Sequence, residues 1–241
     1  MAPKATKKPS ARKVKAEPKV AVEDIPEWKR QSVERSLTSA RARAQERTDR
    51  FVATTIELMQ EKGTTDFTVQ DVVDRARMSI RTFYNFFASK DDLLLAVHET
   101  VLSSEVVTRL RTLIEAETDP IRRIEAYIDG LFELASQGGA VSRALTTYYN
   151  RLTETRPADL DRAFKPHIDL VIELIEQAAA AGRLDSELST EKAGHLLHHT
   201  VLAAVHARIL GAETNRDVSS SDLWRFCANG IGVQPTRTRR S

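Results

Sequence analysis

The stretch SIRTFYNFFASKDD, Ser79 to Asp92, packs three phenylalanines and a tyrosine into Phe83–Phe87 of a chain with only fourteen aromatic residues. Phe83 and Phe87 stand four apart and share one helical face. Arg81, Thr82, Tyr84 and Asn85 fall on the other. Ser79 is a ready N-cap and Ser89 caps a following helix, with Asp92 at its third position. Working back, FTVQDVVDRA (Phe67–Ala76) opens on Thr68, has Asp71 three residues on, and carries an apolar stripe of Val69, Val72, Val73 and Ala76. That helix is too short to stand alone and must pack at once. Only Ala76-Arg77-Met78 separates the two helices. An earlier helix, firm from about Thr38 and ended by Gly63, repeats Phe51, Val52, Thr55, Ile56 and Met59 on one face. Two short helices joined by a tight turn after a longer one make a helix-turn-helix, whose second helix commonly enters the DNA major groove. Arg81 suits guanine or phosphate, Asn85 suits adenine, and Ser79, Thr82 and Tyr84 can donate to phosphate oxygens. The same residues also allow a plain packed helix pair with simple caps.

Composition agrees with a helical protein. The 241 residues include nine glycines, eight prolines and 29% charged side chains, and mean hydropathy is −0.36. Ala, Leu, Arg and Glu favour helices. A single cysteine, Cys227, excludes an internal disulfide and a cysteine-based zinc site, and fits a reducing compartment. No segment has the roughly 20 apolar residues of a membrane span, and the N-terminus lacks the apolar core of a secretory signal. A cytoplasmic, nucleoid-associated protein without membrane contact is expected.

The net charge of +2 is unevenly laid out: residues 1–50 carry +7, residues 236–241 carry +3, and the stretch between carries −8. Residues 1–22, rich in Lys, Ala and Pro, read as disordered. They form either a phosphate-binding tail or a merely solvated one. Residues 24–37 are ambiguous: Asp24 and Pro26 could open a short helix, and Trp28, Val33 and Leu37 are available to pack. The expected division is a mostly disordered basic extension (1–37), a helix-turn-helix domain (38–98), a helical second domain (99–232) and a basic tail (233–241).

Phe67–Val97 resembles the DNA-binding domain of the tetracycline-repressor (TetR) family. Thr68, Asp71-Val72-Val73, Met78-Ser79, Thr82-Phe83-Tyr84, Phe87, Ser89-Lys90-Asp91 and Leu93-Leu94 match its pattern in type and spacing, and RTDRFVATTIELMQEKG (47–63) fits its first helix. The resemblance implies an all-α fold: a three-helix DNA-binding domain followed by a helical domain that binds a small molecule and dimerises. It implies that Thr68 and Lys90 meet phosphate and that Ser79, Arg81, Thr82, Tyr84 and Asn85 face DNA. The chain departs from the pattern in three places. Arg77 stands in a turn that usually holds Gly, and can add a phosphate contact. Arg81 replaces a small residue. Phe86, which donates no hydrogen bond, replaces a polar aromatic or histidine.

The second domain reads as helices near 99–117, 119–136, 140–153, 157–181, 189–210 and 220–231. The resemblance puts the dimer interface on the last two. The candidate stripes are Leu197, Val201, Ala204 and Val205, and Leu223 and Cys227, although packing within one chain gives the same periodicity. Candidate pocket residues are Tyr127, Phe132, Tyr148, Tyr149 and Phe164, suited to a hydrophobic or amphipathic effector. His195, His198, His199 and His206 crowd one helix. His195 and His199 have metal-binding spacing but lack the glutamate and third ligand of a zinc site, so no metal and no cofactor is expected. If the histidines line a dimer seam, protonation weakens it near pH 6. No phosphate loop, nucleophile elbow or carboxylate pair points to an enzyme. The expected function is a homodimeric repressor released from a palindromic operator in double-stranded DNA by a small-molecule effector. The alternative is a non-specific DNA-coating protein driven by the basic tail.

Overall fold

The computed structural model describes residues 26–101, 106–212 and 217–234. The extension before Pro26 and the tail after Gln234, read above as basic and in part disordered, lie outside the described residues. Ten helices are described: α1 (Glu27–Lys62), α2 (Val69–Ala76), α3 (Ile80–Tyr84), α4 (Lys90–Glu99), α5 (Val107–Glu115), α6 (Pro120–Gln137), α7 (Gly139–Thr155), α8 (Pro157–Ala180), α9 (Thr190–Leu210) and α10 (Ser220–Gly230). Among the described residues the only β feature is an isolated antiparallel bridge between Leu184 and Val233.

Helix α1 starts at Glu27, well before the expected boundary at Thr38. No Gly or Pro interrupts Glu27–Lys62, and an Arg30–Glu27 ion pair of 2.6 Å braces its first turn. Up to Glu46 it belongs to a unit of its own, and a second compact unit begins at Arg47. Trp28, Val33 and Leu37 find no packing: they are 65%, 58% and 53% exposed.

In the second unit the aromatic cluster forms a small core. Phe83 is fully buried, edge-on to Phe51 with ring centres 5.6 Å apart, and Phe87 lies 5.6 Å from Phe83. Val72, Val73 and Ala76 of α2 close it, with Met78 and Phe86 half-buried beside them. The apolar face of α4 (Leu93, Leu94, Val97) joins this core to Leu145, Leu152 and Phe164 of α7 and α8. A second core is built from α5, α6, α8, α9 and α10 around Tyr127, Ile128, Leu174 and Val201. Helices α8 and α9 approach closely at Gly194, where an added Cβ would stand 2.5 Å from Ile172 Cγ1.

The expected helices of the second domain agree with α6 to α10 to within two residues at each end. The first is described only in part: α4 ends at Glu99, Thr100, Val101 and Val106 are π-helical, α5 runs Val107–Glu115, and residues 102–105 lie outside the described residues.

Candidate DNA-reading face and ligand cavity

Each short helix of the N-terminal domain is held by its cap. Thr68 and Asp71 exchange bonds: the Asp71 N–H donates to Thr68 Oγ1 (3.1 Å) and the Thr68 N–H donates to Asp71 Oδ2 (2.7 Å). Those bonds, the backbone one foremost, hold the Asp71 carboxyl below its usual range. Ser79 Oγ accepts from the Thr82 N–H at 3.0 Å and shares a 2.8 Å hydrogen bond with the Thr82 hydroxyl. Arg77 makes the turn with φ 54°, the only positive φ among the described non-glycine residues. The turn manages without glycine by placing an ordinary side chain in the left-handed region.

These caps orient one exposed face. Arg77, Ser79, Arg81 and Asn85 are exposed, Thr82 is half-buried, and Tyr84 is 56% exposed. Among the described residues the side chains of Arg77, Arg81 and Asn85 make no hydrogen bond or ion pair. Two expected phosphate contacts are already engaged inside the chain. Thr68 donates its hydroxyl to Asp71 at 3.0 Å. Lys90 Nζ donates to the carbonyls of Thr65 (3.0 Å) and Phe67 (2.9 Å), tying the start of α4 to the loop before α2. Ile80, 47% exposed one turn before Tyr84, escaped the sequence reading. Its signal was an aliphatic residue on the stripe opposite Phe83, where a thymine methyl is an apolar partner.

In the second domain a cavity of about 100 Å3 lies between α4, α6, α7, α8 and α9. Of the five aromatic candidates, Tyr127 and Phe164 line it. Tyr149 stands behind them, edge-on to Phe164 (5.6 Å) and to His206 (4.7 Å). Phe132 and Tyr148 do not reach the cavity: Phe132 is buried under the Arg208 guanidinium, and Tyr148 lies in the core shared with the N-terminal domain. The polar lining includes four imidazoles from three helices: His198 and His206 of α9, which the sequence singled out but not as pocket residues, and His98 of α4 and His167 of α8, which it did not. The eight-residue spacing of His198 and His206, two helical turns on the Val201–Val205 stripe, was the available clue.

Burial pushes the His98 imidazole down to about 4, His198 to about 3 and His206 to about 4, so all three are neutral at pH 7. Among the described residues no three His, Cys, Asp or Glu side chains converge as a metal site would require.

The expected interface residues are corrected by their burial. Leu197, Val201 and Val205 of α9 and Leu223 and Cys227 of α10 are buried in the protomer's own second core, and Ala204 is half-buried against it. The stripe is internal helix packing. The outer faces carry His195, Leu196 (56% exposed), His199 and Ala203 on α9, and Phe226 (69% exposed) on α10. The histidines therefore split: His195 and His199 outward, His198 and His206 inward.

Residues 51–97 match the family described as bacterial regulatory proteins, tetR family. Over these residues the chain is similar to the DNA-binding segment of TetR-family regulators. Two curated relatives are the HTH-type transcriptional regulators EthR of Mycobacterium tuberculosis, 31% identical over 47% of this chain and 53% of EthR, and BetI of Stenotrophomonas maltophilia, 29% identical over 43% and 53%. The chain spans about half the length of these curated relatives. Two solved structures share its fold. Thermus thermophilus FadR with lauroyl-CoA has a TM-score of 0.62 and 20% identity, covering 80% of this chain and all of that one. RolR with resorcinol has a TM-score of 0.61 and 20% identity, covering 80% and 91%. EthR and BetI are described as transcriptional regulators, and the Thermus FadR as a transcriptional repressor. No described helix is long and apolar enough to cross a membrane.

Proposed function

We propose that the protein is a sequence-specific DNA-binding transcription regulator, a homodimer that leaves a palindromic operator when a small molecule fills the cavity. The observation that carries this reading is the course of α4. Its N-terminal residue Lys90 is bonded to the loop that carries α2, and its last turn presents His98 to the cavity. Asp92 on the same helix is paired with Arg156 at the start of α8, and Arg151 stands 3.6 Å from Asp91. A ligand that displaces His98 moves a rigid rod whose other end holds the reading head. Release requires only that the ligand favour one α4 position over the other.

Reading a palindrome needs two recognition helices about one DNA turn, ~34 Å, apart. The unburied apolar faces of α9 and α10, centred on Leu196 and Phe226, suit a two-fold contact. The FadR and RolR ligands, an acyl-CoA and a dihydroxybenzene, differ so widely that family likeness leaves the effector's chemistry open.

The test is selection of binding sites from random DNA at ~150 mM salt, where non-specific binding is suppressed. Wild type is compared with the double variant Tyr84→Ala, Arg81→Ala. A palindrome recovered by wild type alone is expected. Equal recovery by both proteins would assign binding to the basic tail and overturn the reading.

A further inference from the structure

The cavity is walled by Val101, Leu131, Leu145, Leu202 and Ile209, and no Asp, Glu, Lys or Arg lines it. The polar side chains in its lining are four imidazoles, the Tyr127 phenol and the hydroxyls of Ser142 and Thr146. Tyr127 is fully buried, and His98 and His198 are 2% and 3% exposed. The Tyr127 hydroxyl and Nδ1 of both His98 and His198 have no hydrogen-bond partner within the described chain. Buried polar atoms are nearly always satisfied, so three orphans around one cavity point to a missing partner. A neutral imidazole offers one donor and one acceptor, and a phenol does the same. The group that complements both is another hydroxyl, which donates to one and accepts from the other. The space of about 100 Å3 is of the order that holds a single ring: an apolar cavity of about 150 Å3 accepts benzene.

Resting on the reading of this cavity as the effector site, we infer that it takes a small uncharged ring bearing a hydroxyl, a phenol-like molecule, held by Tyr127, His98 and His198. A carboxylate is excluded by the same lining. Its charge would be buried with no Lys or Arg in the lining to pair with it. Arg143 and Arg208 line a second pocket that shares only Ala135 and Ile209 with the cavity. A bare hydrocarbon ring fits the walls but leaves the three polar groups unpaired. Discrimination against ligands that lack a required hydroxyl is steep.

The experiment is calorimetric titration of the full chain, without DNA, using phenol, toluene and benzoate at pH 7.5. Phenol is expected to bind at least tenfold more tightly than either of the others. Tyr127→Phe, which keeps the ring and the fold, should cut phenol affinity about tenfold and leave toluene unchanged. His198→Leu should act in the same direction, with circular dichroism reporting its folding. Benzoate binding as tightly as phenol would move recognition to Arg143 and Arg208 and overturn the inference. Equal affinity for toluene and phenol, or no binding of phenol, would overturn it as well. Because no DNA is present, failure here is distinct from failure of the regulator reading, which the site selection tests separately.

Discussion

Arg77 sits at φ 54° in a turn of three residues, its N–H donating to the Asp74 carbonyl at 3.1 Å. A residue with a Cβ costs about 1 kcal/mol or more in this region, where glycine is nearly free. Arg77→Gly should therefore stabilise the domain by about 0.5–1 kcal/mol after glycine's extra unfolded-state entropy is subtracted. The observable is a rise in Tm. If Arg77 is kept for phosphate, the same variant should bind operator more weakly and lower the salt slope of binding by about one. A higher Tm with unchanged DNA affinity would reduce Arg77 to an accident of the turn. The residue scale also shows where the sequence spoke plainly. Phe83 and Tyr84 are neighbours with opposite fates, 0% and 56% exposed, and the four-residue spacing of Phe83 and Phe87 was enough to say so. Lys90 was opaque, because its two carbonyl partners, Thr65 and Phe67, are more than twenty residues away and no local pattern records them.

Helices α9 and α10 carry apolar residues on more than one side, and that decides what each side does. The inner stripe is filled by the protomer itself, so Leu197→Ala should cost about 2–5 kcal/mol in urea unfolding as a cavity in the core. The outer face has no such role in one chain. Phe226→Asp with Leu196→Glu should leave helicity and urea midpoint nearly unchanged while light scattering shifts from dimer to monomer mass. A dimer that survives both changes would place the two-fold contact elsewhere. Gly194 is a third kind of position: Gly194→Ala forces α9 away from Ile172 and should destabilise by about 1–3 kcal/mol. Helix existence and ends were legible because caps such as Ser189 and Ser219 and breakers such as Gly211 are local. Which stripe faced inward was not, since Leu196 and Leu197 are adjacent and equally apolar, and only the position of α8 separates them. The unbroken α1 was missed for a related reason: helix formation in Glu27–Leu37 depends on propensity and exposed pairs rather than on an apolar face.

At the scale of the whole molecule, the buried imidazoles couple the cavity to acid stability. His98 faces His206 and His167, and His198 faces His167, His195, His199 and His206; among the described residues no carboxylate lines the cavity to favour the charged form. Burial lowers His98, His198 and His206 in the fold to about 4, 3 and 4, against about 6.5 in the unfolded chain. The unfolded chain therefore binds their protons first as pH falls. The stability these groups contribute is complete above about pH 6.5 and is lost progressively between there and about pH 4 for His98 and His206, and about pH 3 for His198. With up to three protons taken up on unfolding, the slope near pH 5 approaches about 4 kcal/mol per pH unit. The paired carboxylates Asp92, where burial is outweighed by the Arg156 and Ser89 bonds, and Asp159, bonded to Arg156, contribute in the same direction but only within and below the ordinary carboxylate range, so most of the histidine window lies above theirs. Urea midpoints measured from pH 7.5 to 5 should fall steeply below 6.5, and His206→Gln should remove about a third of that slope. A flat profile over this window would mean that the imidazoles are hydrated in solution. The cavity would then be open and wet, and a neutral hydroxylated ring would have no advantage over water in filling it.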